Sequence, residues 1–92
     1  MIPKKIKIGA KKYDVVRGDH MKDRGNTSPA SVNFYDLKIW VSEKANDFNS
    51  ECFMHEVVEA INYQYELGLP HNKITILGEV LYQIIKENKL EL

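Results

Sequence analysis

The chain has 92 residues, 43% apolar and 28% charged, with 13 basic side chains balancing 13 acidic ones. That is the make-up of one globular domain over residues 1–92, able to bury roughly 60–65% of its unfolded surface. No apolar run approaches the ~20 residues of a membrane span. The basic start is followed by no apolar core of a signal peptide. Cys52 is the only cysteine, which excludes an internal disulfide and a thiolate zinc cluster. A cytoplasmic protein without membrane contact is expected.

The zero net charge hides an asymmetry. Residues 1–46 carry ten Lys or Arg against five Asp or Glu, and residues 47–92 carry three against eight. Opposite charges on the two halves could steer a partner or help the halves dock. Nucleic-acid binding is a weak reading, because the basic residues are not interleaved with aromatics as a stacking platform requires.

In chain order, residues 5–8 alternate polar and apolar, Gly9-Ala10 makes a turn, and residues 11–16 resume an extended pattern. Residues 17–29 are rich in Gly, Asp, Asn and Ser and read as a loop. Residues 30–35 and 37–41 form a second strand pair around Asp36, with Val32, Phe34, Ile39 and Val41 inward. Trp40 reads as a packing anchor. A first helix begins within the cap-forming run Asn46, Asp47, Asn49, Ser50 and continues to about Glu66, with Met54, Val57, Val58, Ile61 and Tyr65 as its apolar stripe. Gly68 is a natural helix stop. A second helix over residues 72–87 turns Ile74, Leu77, Leu81, Ile84 and Ile85 inward. The short connection forces an antiparallel helical hairpin. The expected fold is α+β, an antiparallel sheet of three to four strands followed by that hairpin.

Within the first helix stands His55-Glu56-Val57-Val58-Glu59, one letter from the H-E-x-x-H signature of zinc hydrolases. Positions i and i+4 share a helix face, so His55 and Glu59 can grip one divalent ion. Glu56 is the candidate general base, although it points about 100° away from His55 and reaches the site only if a cleft wraps around that side. The same polar stripe could instead be a solvated helix flank, so a third ligand decides the matter. With the hairpin pivoting near Leu69, Glu79 lies level with Glu59, yet it falls on the polar side of the second helix. His71 falls roughly 12 Å too far along the axis at ~1.5 Å per residue. His20 in the loop reads as solvent-exposed. Cys52, three residues before His55, reads as a structural thiol rather than a nucleophile.

With the H-E-x-x-E helix, the β-rich first half and the second helix together, the chain resembles the small zincin-like, metallopeptidase-like proteins related to the ImmA/IrrE group, found in phage and prophage genomes. The segments that carry the likeness are Lys4 and Ile6-Lys7-Ile8-Gly9, residues 53–62 and residues 79–88. The resemblance implies a minimal zincin-like fold, His55, Glu59 and Glu79 as ligands of zinc or another divalent metal, and Glu56 as general base. The departure is Glu59, where a peptidase usually has His. A second anion lowers the Lewis acidity of a bound zinc and favours harder metals. Two functions follow: a metal-dependent hydrolase, with the strand at residues 37–41 binding an extended peptide by edge addition, or a non-catalytic accessory or inhibitor protein that binds a host or phage protein.

Overall fold

Alternating polar and apolar residues build the first layer of the fold. In the computed structural model, which describes residues 2–18, 29–44 and 46–90, four strands precede two helices. The strands are β1 (Lys5–Ile8), β2 (Lys11–Arg17), β3 (Ala30–Asn33) and β4 (Lys38–Val41); the helices are α1 (Asp47–Gln64) and α2 (His71–Asn88). In β2 the alternation is complete: Tyr13 and Val15 are buried, while Lys12, Asp14 and Val16 are exposed. Gly9, at φ +59°, turns β1 into β2, and a Cβ there would collide with the side chains of Tyr65 and Gln64. Gln64 donates its amide to the Ile8 carbonyl at 2.8 Å, so this turn is docked on the end of α1.

The sheet order is β1-β2-β4-β3. β1 and β2 pair antiparallel, as do β3 and β4, but β2 and β4 run parallel from Asp14↔Lys38 to Arg17↔Val41. The all-antiparallel sheet expected from sequence is therefore corrected to a mixed one. Alternation reports which face a residue occupies; it carries no information on which strand lies beside it. Here the second hairpin docks through β4, its later strand. Ile39 and Val41 of β4 join the core beneath α1, and Trp40, on the opposite face of this central strand, is buried as well. The expected peptide-binding edge at residues 37–41 is corrected too, since β4 has neighbours on both sides and its backbone is already paired. The turn between β3 and β4 is wider than a pivot on Asp36. Asn33 Oδ1 accepts from the backbone N–H of Tyr35 and of Asp36, each at 2.9 Å, and ends β3 at that residue.

Helix α1 is the middle layer. Asn46 caps it, with Oδ1 accepting from Asn49 N–H at 2.8 Å. Phe53, Val57 and Ala60 face the sheet and join Ile8, Tyr13, Val15, Ala30, Ile39 and Val41 in one core. Val58, turned about 140° from Phe53, is buried as well, on the side where α2 packs. α2 rests on α1 and has no comparable packing on the sheet. Its buried residues are Ile74 and Gly78 alone, while Leu77, Leu81, Ile84 and Ile85 stay exposed. Their expected inward placement is corrected: a helix lying on one other helix needs only a narrow stripe covered. Among the described residues no helix is long and apolar enough to cross a membrane.

Candidate metal centre

α1 places His55 and Glu59 one turn apart on one face, with His55 Nε2 3.5 Å from Glu59 Oε2. The third group is His71, whose Nδ1 lies 4.0 Å from the same oxygen. The two imidazoles stand 4.9 Å apart between centroids and are tilted by 59°. One ligand atom from each of the three residues lies within 4.8 Å of the others. Bonds of ~2.0–2.1 Å in a tetrahedral site set ligand atoms about 3.4 Å apart, so small rotamer adjustments would close the group around one ion. Two imidazoles and a carboxylate are a donor set that suits zinc.

His71 reaches Glu59 because of how the helices are joined. α1 ends at Gln64, and the left-handed residue that breaks it is Glu66, at φ +51°, two positions before the expected stop at Gly68. Asn62 then turns the chain back: its carbonyl accepts from Leu67 N–H at 3.1 Å and its side chain from Leu69 N–H at 2.8 Å. Residues 67–70 are non-helical, and Pro70 starts α2 with ψ 158°, so His71 is the first helical residue. The hairpin therefore pivots several residues before Leu69. Gly78 confirms the offset, since a Cβ there would stand 2.9 Å from the Cα and N of His55. Glu79, expected level with Glu59, is displaced toward the start of α1. It is exposed and lines the same cleft without joining the converging ligand atoms. His71, placed too far away by the straight-hairpin estimate, is the residue that meets the pair. The signal that could have found it is the pairing of Asn62 with an extended, proline-ended connector.

The cleft is about 350 Å³ and is lined by Phe48, Glu51, Cys52, His55, Glu56, Glu59, His71, Thr75 and Glu79. It wraps around α1 far enough to include Glu56. Burial, and then the charge of Glu59, push the Glu56 carboxyl up to about 7. The Cys52 thiol is also pushed up, by burial and then by Glu56 and Glu51, the opposite of what a thiolate nucleophile needs. Among the described residues, four carboxylates and no Lys or Arg line the cleft, a field that favours a cation. Away from the cleft, Tyr82 donates to Asp47 at 2.8 Å and Tyr63 stacks on Phe34 at 4.1 Å; His20, expected to be solvent-exposed, lies outside the described residues. No protein-family model, curated protein or solved structure matches this chain.

Proposed function

We propose that this protein binds one divalent metal ion, zinc or a harder cation, through His55, Glu59 and His71, and acts as a small zincin-like hydrolase of the phage type. The observation that carries this reading is the convergence of three ligand atoms from two helices beside a carboxyl whose pKa lies near neutrality. A metal in this set supplies Lewis acidity toward a carbonyl and acidifies water. The chain's own contribution is positional. α1 fixes His55 and Glu59 in register, the connector delivers His71, and the half-buried Glu56 carboxylate can accept a proton at pH 7 and return it to a leaving group. Glu79, on the rim of the same cleft, is read as an outer carboxylate rather than a ligand.

Calorimetric titration of zinc into chelator-treated protein tests the binding. One ion per chain is expected, with binding lost in His55→Ala and in His71→Ala; a wild type that takes up no stoichiometric metal overturns the reading. Glu56→Gln should keep the metal and remove hydrolysis of a peptide or amide substrate by a factor on the order of 10²–10⁴. The second reading, a non-catalytic protein that keeps this scaffold and works by binding, is favoured by the exposed apolar face of α2. Full function of Glu56→Gln in cells would select it.

A further inference from the structure

Helix α2 has three sides. Ile74 and Gly78 are buried, with Gly78 against His55, and His71, Thr75 and Glu79 line the cleft. At ~100° per residue, Ile76, Val80 and Ile84 centre the remaining side, with Leu77 flanking it and Leu81 at its border with the buried stripe. They are 37–53% exposed, a continuous apolar stripe of a kind monomeric proteins seldom leave open. Because α2 is the outermost layer, no other described element covers that stripe.

The stripe is symmetric about Val80 in a way that identifies its occupant. Ile76 lies four residues before Val80 and Ile84 four after; Lys73 lies seven before and Glu87 seven after. All five share one face, and both charged residues are exposed. An apolar stripe with a cation at one end and an anion at the other complements itself when turned by a two-fold axis. We propose that two copies of this protein pair through antiparallel α2 helices, with the axis at Val80. Ile76 then packs against Ile84 of the second copy, and Lys73 meets its Glu87, twice over. The contact runs about 21 Å from Lys73 to Glu87 at 1.5 Å per residue. A single helix pair of that length buries less than the ~800 Å² per partner of a standard interface, so a dissociation constant in the micromolar range is expected. The cleft, on another side of α2, stays open in the pair, and the pairing does not depend on a metal.

Sedimentation of the full chain across a dilution series from about 500 to 5 µM, bracketing that micromolar constant, tests this directly. The wild type should pass from dimer to monomer. Val80→Glu places two carboxylates on the axis at an already exposed position, so it should keep its helical circular dichroism and remain monomeric throughout. Lys73→Glu alone and Glu87→Lys alone, facing like charges at both ends, should each dissociate at a higher concentration than the wild type, by about ten-fold, while an equimolar mixture of the two should recover the wild-type pairing. A wild type that is monomeric at every concentration overturns the proposal, and so does a dimer that survives Val80→Glu. Failure of the mixture to pair more strongly than either variant alone overturns the antiparallel arrangement. In that case the stripe serves another protein or a further segment of chain.

Discussion

Glu56 is half-buried on α1, and its ionisation is opposed first by burial and then by Glu59, which together bring its pKa up to about 7. The folded state therefore favours the protonated form relative to the unfolded chain, where a glutamate titrates near 4.3. The stability this contributes is present in full below pH ~4.3 and is lost as pH rises to about 7, so the metal-free fold weakens across that window. Glu56→Gln removes the effect. In chelator, the variant should gain on the wild type between pH 4.5 and 7 by on the order of 2 kcal/mol, then hold a constant lead. Denaturation curves that run parallel for the two proteins across that range would contradict this. His71 and Glu79 give a second contrast, because both line the cleft and only His71 converges on Glu59. His71→Ala should abolish zinc binding, whereas Glu79→Ala should change affinity by no more than a few-fold; the reverse order would restore Glu79 as the ligand. The shared face of His55 and Glu59 was legible in the sequence because helical spacing alone sets it, whereas the place of Glu56 in the cleft depended on how far the cleft wraps around α1. His71 was not legible, since its position depends on Asn62 and on the path of residues 67–70, which no periodicity reports.

At the scale of elements, α1 and α2 owe their relative height to Asn62 and their close approach to Gly78. Asn62→Ala deletes the bond to Leu69 N–H and should cost about 1 kcal/mol. It should also weaken metal binding without touching a ligand, because His71 loses its fixed entry. A chain that is destabilised yet binds zinc unchanged would show that α2 is held by its packing alone. Gly78 separates two opposed effects. Alanine in a helix interior is worth up to ~1 kcal/mol over glycine, but here its Cβ would stand 2.9 Å from the backbone of His55, which cannot rotate aside. Overpacking costs ~1–3 kcal/mol, so Gly78→Ala should lower the melting temperature and spread the metal ligands; a rise would mean the helices are not in such close contact. Element positions were largely legible: β1 spans residues 5–8 as expected, and Asn46 lies within the expected capping run. Strand direction was not, because β3 and β4 read identically whichever of them docks on β2. Nor was the covered face of α2: Leu77, Leu81 and Ile84 look like core in sequence and become surface because α2 touches one helix.

Across the whole molecule the layers run sheet, α1, α2, and the charge asymmetry follows them, with the basic half in the strands and the acidic half in the helices. α1 is held on two sides. α2 is held by Ile74 and Gly78 and by contacts at its two ends. At the far end Asp47 accepts from Tyr82 and from Lys86; the Lys86 bond, more than the Tyr82 one, holds the Asp47 carboxyl below its usual range. Both charged groups are exposed, so this clamp positions α2 more than it stabilises it, and salt loosens it. At the near end the polar ties among the described residues are the Asn62 side-chain bond to Leu69 N–H in the connector and the 4.0 Å approach of His71 to Glu59. A segment with so little buried apolar area opens locally at lower free energy than the core. Metal at His55, Glu59 and His71 would join α2 to α1 at the weakly held end, and a ligand that binds only the docked state stabilises it by mass action. Hydrogen exchange reads this out helix by helix, in the Val80→Glu chain so that pairing between copies contributes nothing. In chelator, the amides of α2 should exchange faster than those of α1 facing the sheet. Zinc should slow α2 selectively, by ten-fold or more for each ~1.4 kcal/mol of coupling, and should do nothing in His71→Ala. Uniform protection of both helices by zinc would mean that α2 opens only when the whole fold does.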